Sequence, residues 1–155
     1  MPEIVPIEAI PTEEALDMLR GQVSLFHGYA LALARKAGLP PDEAGQMFFT
    51  LLGDPARPPR PPAGPEDVER VARAVASFSQ VTFPDTQLQR EGNTWTIRSV
   101  LTDAKAGLER WGTPLEDFVR WSATVQRLEG EASGGIAWDT WRDGDILYQR
   151  LNPGH

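Results

Sequence analysis

The chain contains no cysteine, which removes disulfides, thiolate zinc sites, iron–sulfur clusters and a cysteine nucleophile together. Histidine is nearly as scarce, with only His27 and His155 among 155 residues. A site built on two or three histidines is therefore not expected, and neither a metal nor another cofactor is. Basic charge is also short: 15 Lys and Arg stand against 22 Asp and Glu, a formal net charge of -7. Without a clustered basic face, neither nucleic acid nor an anionic membrane surface is an expected partner. Long apolar runs are missing as well. The richest stretch, residues 23–34, includes Ser24, His27 and Gly28 and falls short of the ~20 residues a membrane span needs. The start, Met1-Pro2-Glu3-Ile4-Val5-Pro6, has no basic region followed by an apolar one, so a secretory signal is not expected and a cytoplasmic location is. Serine stands in neither G-x-S-x-G nor S-x-x-K, and Gly130, Gly134 and Gly135 lack the strand–loop–helix setting of a phosphate loop.

What is present reads as one folded domain spanning residues 1–155, with 41% hydrophobic and 24% charged residues. Thr12 followed by Glu13, Glu14 and Asp17 suits a helix start, because free N–H groups and the helix dipole favour oxygen and negative charge there. Leu16, Leu19, Val23, Phe26/His27, Ala30, Leu33/Ala34 and Ala37 recur at helical spacing, and Gly38 stops the helix. The opposite face is apolar too, with Leu25, Tyr29 and Leu31. Such a helix is either central to the fold or buried between copies, so a homodimer is an expected partner. A second helix runs from Pro41 through Met47 and Leu51 to Gly53. Residues 54–65 carry six prolines and predict an extended surface crossover.

A third helix follows Glu66-Asp67 with Val68, Val71, Ala72, Val75 and Phe78 on its apolar face. Residues 80–89 and 94–100 predict a hairpin around Arg90-Glu91-Gly92-Asn93, with Trp95, Ile97 and Ser99 alternating against Thr94, Thr96 and Arg98. Pro84 marks a sheet edge or the strand's start. A fourth helix runs from Thr102-Asp103 to Gly112, and Thr113-Pro114-Leu115-Glu116 reads as a capping box opening a fifth. Residues 136–141 and 145–151 predict a second hairpin around Asp143-Gly144. The expectation is an α+β domain of five helices and two antiparallel hairpins.

For chemistry, His27 is either a general base in an apolar pocket or a packed core residue. The five tryptophans all lie in the C-terminal part, where they form either core or the lining of a pocket for a small organic molecule. The 22 acids sit mostly at helix starts and read as solvated faces.

The stretch from Trp95 through Arg98-Ser99 to Trp111-Gly112, continued by Pro114-Leu115 and Phe118-Val119-Arg120-Trp121-Ser122, resembles the bacterial L-2-amino-thiazoline-4-carboxylic acid hydrolase family. The resemblance covers the C-terminal 60 or so residues. It implies a strand bearing an Arg-Cys pair, a short helix ending near Gly, a helix with a further Cys and a closing strand pair. Here Ser99 and Ser122 stand at the cysteine positions, which implies a pocket kept and a thiol chemistry lost. The expected pocket lies between His27 and Tyr29 on the first helix and Arg98, Ser99, Trp121, Ser122 and Trp138 in the second half. Arg98 would grip the carboxylate of a small organic acid. Two functions follow: a small-molecule-binding domain resembling that hydrolase and inactive in its reaction, or a non-enzymatic interaction or dimerisation module.

Overall fold

A computed structural model describes residues 12–52 and 60–154, with the side chains of 14–25, 52, 103 and 104 left outside the description. It has five helices and a four-stranded antiparallel sheet. In chain order these are α1 (Thr12–Lys36), α2 (Pro41–Leu52), α3 (Pro65–Thr82), β1 (Thr86–Glu91), β2 (Thr94–Val100), α4 (Thr102–Arg110), α5 (Leu115–Ala132), β3 (Ala137–Asp143) and β4 (Ile146–Asn152). The expected α+β class is the observed one. The two hairpins join into one sheet of order β1-β2-β4-β3, so the last strand lies beside the second.

Each hairpin closes on two residues, Gly92-Asn93 and Gly144-Asp145, between the end pairs Glu91–Thr94 and Asp143–Ile146. Only the glycine has positive φ, 59° and 57° respectively. This is the turn with glycine first, matched to the right-handed strand twist. The second turn therefore sits one residue later than Asp143-Gly144 suggested.

Trp95, Ile97 and Ser99 are buried and alternate with half-buried Thr94, Thr96 and Arg98, as expected. The buried set faces α3 and α5, together with Leu147, Gln149 and Leu151 of β4. The other face carries Arg98, Tyr148 and Trp141 in register, and no described helix packs on it. Tyr148 and Trp141 stack there at 5.4 Å, and Arg150 lies over Trp141 while pairing with Asp139.

Three local expectations shift. Residues 80–82 belong to the last turn of α3, because Ala72, Ala76, Ser79 and Thr82 prolong its buried face at helical spacing and tertiary packing overrides β-branched propensity. Pro84 then falls between helix and strand, just before the edge strand β1. Thr113 does not cap α5. Pro114 holds the N-cap position without a side-chain bond, and the Thr113 hydroxyl donates instead to the buried Gly28 carbonyl on α1 at 3.1 Å. At α3 the Gly64 N–H donates to Asp67, and Pro65 opens the helix. Residues 60–64 of the expected crossover are non-helical and tied down by Ala63, whose N–H donates to the Gly134 carbonyl. Residues 53–59 lie outside the description.

α1 crosses α4 closely because Gly28 has no side chain. A Cβ there would stand 3.0 Å from the Trp111 ring and 3.5 Å from the Gly107 carbonyl. This crossing decides which face of α1 goes inside. Gly28 and Leu31 are buried, whereas Phe26, Tyr29, Ala30, Leu33 and Ala37 are exposed.

The core has two apolar clusters. Leu31, Phe83, Leu101, Leu108, Phe118, Val119 and Leu147 make one; Val68, Ala72, Ala76, Trp95, Ile97, Ile136 and Leu151 make the other. Between them, along α3, β2, β4 and α5 and at the start of β1, sit buried polar side chains that include Ser79, Thr82, Thr86, Ser99, Ser122 and Gln149. Ile97-Ser99-Leu101 and Leu147-Gln149-Leu151 show the change from one cluster through the polar layer to the other.

Candidate functional site

Two places in this fold gather the residues singled out by sequence. The first is a groove of about 180 Å³ between α1, α2 and α5. Its floor is Leu31, Phe48 and Trp121, and its rims are Phe26 and Ala30 on one side and Met47 and Leu51 on the other. His27 lies in it, 5.2 Å from the Trp121 ring and 6.1 Å from Phe118, edge-on to the latter. Phe48 meets Trp121 edge-on at 5.1 Å. Gly45 lets α2 settle on α5, since a Cβ there would stand 3.0 Å from Thr124 and from the Trp121 carbonyl. Asp42 accepts a hydrogen bond from Arg120 at 2.6 Å and clips the two helices from outside; that bond and the carboxylate charge raise the Arg120 guanidinium above its ordinary value.

The second place is the polar layer. Thr86 donates its hydroxyl proton to the Phe83 carbonyl at 2.7 Å, and its oxygen lies 2.9 Å from Ser99 Oγ. One proton cannot serve both bonds, so Ser99 donates to Thr86. Thr82 Oγ1, Gln149 Oε1 and Trp138 Nε1 are buried without a hydrogen-bond partner among the described residues. Trp138 packs against the second apolar cluster from the same sheet face, and Ser122 is buried on α5.

The seven expected site residues thus divide. His27 and Trp121 meet in the groove. Ser99, Ser122 and Trp138 border the polar layer. Tyr29 points away from both, its ring 5.1 Å from Trp111. Arg98 lies on the opposite sheet face, paired in register with Gln87 and Tyr148, because neighbouring residues of a strand point to opposite sides and Ser99 points in. The alternation visible in the sequence already separates Arg98 from Ser99. Phe26, Met47 and Leu51 were not singled out as site residues, although Phe26 stands in the α1 repeat and Met47 and Leu51 in α2.

Apart from His27 and the indole of Trp121, the described lining of the groove is made of aliphatic, thioether and phenyl side chains. Drug-sized ligands occupy about 300–1,000 Å³, so a 180 Å³ open groove has room for side chains of another chain rather than for such a molecule. Among the described residues, no group of three acidic or histidine side chains is placed to hold a metal ion, and no helix is long and apolar enough to cross a membrane. Comparison with protein-family models, curated proteins and solved structures returns no match.

Proposed function

We propose that this chain is a non-enzymatic interaction module of the cytoplasm, and that the groove between α1 and α2 is its docking face. One observation carries the reading: Phe26 is 61% exposed, Met47 50% and Leu51 77% around an apolar trough. Large apolar side chains gathered beside a groove mark interaction surfaces, whereas singly scattered ones do not. The trough suits the apolar face of an amphipathic helix, which presents anchors at i, i+3/i+4 and i+7.

The test uses a labelled, Leu/Ala-rich amphipathic helical peptide as probe and reads fluorescence anisotropy. The wild-type protein binds it saturably. The double variant Phe26→Asp, Leu51→Glu binds at least tenfold more weakly while keeping the native near-ultraviolet circular dichroism. Equal binding by the variant, or loss of its fold, would overturn the reading, as would hydrolysis of a thiazoline carboxylate by wild type that disappears in His27→Ala.

A second reading is a small-molecule-binding domain resembling the thiazoline-carboxylate hydrolases. Its support is the pair of buried atoms Gln149 Oε1 and Trp138 Nε1, which have no hydrogen-bond partner among the described residues, since buried polar atoms are ordinarily satisfied. A panel of small carboxylic acids that raises the melting temperature of wild type but not of Gln149→Leu would favour it.

A further inference from the structure

One apolar stripe in the sequence of α1 keeps a strict spacing. Leu16, Leu19, Val23, Phe26, Ala30, Leu33 and Ala37 follow one another at intervals of 3, 4, 3, 4, 3 and 4 residues. That is the heptad seam of a coiled coil, held for three repeats. The described part of the seam, Phe26, Ala30, Leu33 and Ala37, is exposed, so the fold leaves this part of the stripe uncovered and buries Leu31 instead. Beside the middle of the seam Gln22, Tyr29 and Ala34 carry no charge, while Arg20 and Lys36 flank it toward its two ends, which fits the depletion of charge at interface cores.

Deepening the docking reading and resting on it, we infer that the occupant is a second copy of this chain, its α1 lying antiparallel along α1. A heptad seam is complementary to itself, and a two-fold axis requires that complementarity. The helix is acidic at its start, with Glu13, Glu14 and Asp17, and basic at its end, with Arg35 and Lys36. Antiparallel pairing sets opposite charges and opposite dipole ends together, whereas parallel pairing sets like beside like. The full overlap of residues 12–37 brings position 16 opposite 33, 19 opposite 30 and 23 opposite 26, which pairs six of the seven seam positions with one another and sets Ala37 opposite Thr12. The area is sufficient. Phe26, Tyr29, Leu33, Met47 and Leu51 are each about half exposed or more, on the order of 500 Å² of apolar surface per copy at roughly 150–250 Å² for a whole large side chain. Two copies then remove about 1,000 Å², the lower bound for a specific interface.

A chain without cysteine makes the test clean. Sedimentation of wild type gives twice the mass of one chain, and Phe26→Asp returns the monomer with unchanged near-ultraviolet circular dichroism. Leu16→Cys and Leu33→Cys, each oxidised alone, stay uncrosslinked; mixed, they form a disulfide-linked dimer. Crosslinking of each alone and not of the mixture would refute the antiparallel arrangement. A wild-type monomer at high concentration that still binds the amphipathic peptide would overturn the second copy while leaving the docking reading intact. A monomer that does not bind the peptide would overturn both.

Discussion

Ser99 was singled out by sequence as a site residue, and its hydroxyl is committed to structure. In Thr86→Val the shape is kept but two bonds go. The buried Phe83 carbonyl loses its donor, and the Ser99 hydroxyl, fully buried, loses its acceptor. At about 1–3 kcal/mol for each of the two orphaned groups, the loss is about 2–6 kcal/mol. Ser99→Ala leaves the Thr86 proton on Phe83 and removes one bond, about 1 kcal/mol. Adding Ser99→Ala to Thr86→Val removes the stranded hydroxyl, so the double variant is more stable than the sum of the two losses by at least about 1 kcal/mol. In a chain of this size that coupling is a difference of about 2–4 °C in melting temperature. Urea unfolding of the four proteins at one concentration, followed by tryptophan fluorescence, gives the cycle. Additive losses, or Ser99→Ala costing as much as Thr86→Val, would refute the direction of the hydrogen bonds and free Ser99 for another role.

Gly130→Ala drives a methyl group into the Ile136 carbonyl oxygen, a backbone atom that cannot swing aside; thermal melting is expected to show a loss of more than about 2 kcal/mol. Gln149→Leu exchanges a buried amide with a partnerless oxygen for an apolar group of like size, and urea titration is expected to show a change within about 1 kcal/mol or a gain. Arg98→Ala, on the outer sheet face, is expected to leave both the melting temperature and amphipathic-peptide binding unchanged, and a tenfold loss of binding would contradict the separation of Arg98 from the groove.

Most of the architecture was legible in the sequence because local signals agreed with one another. Glycine with a polar neighbour between alternating strands gave both hairpins, and the Trp95-Ile97-Ser99 alternation gave the inward face of β2. Where two signals competed, the tertiary partner decided. Thr113 fits a cap by type, yet the Gly28 carbonyl across the α1–α4 crossing claims its hydroxyl. α1 is apolar on two faces, and nothing within the helix says which turns inward; the small surface of Gly28 against Gly107 does, and Gly107 lies 79 positions away. The candidate site was half legible. His27 and Trp121 were singled out and do meet, but Phe26, Met47 and Leu51 look like ordinary core residues until the partner helix that would cover them proves to be missing from the described fold.

The polar layer between the two apolar clusters has a bearing on how the molecule comes apart. Neither cluster alone spans the domain, and helices α1 and α4 contribute buried residues only to the first while α3 serves the second through Val68, Ala72 and Ala76. Opening one half need not expose the other. The central strands β2 and β4 are the shared frame, since β2 leads from Ile97 into Leu101 just beyond its end and β4 runs from Leu147 to Leu151 across the divide. Their amides are therefore held by both halves at once and are expected to exchange with solvent only when the whole domain unfolds, whereas the amides of α1 and α4 are expected to report a smaller, local opening. The proposed docking face lies on the half that holds α1, so an adjustment there need not disturb the sheet beneath it.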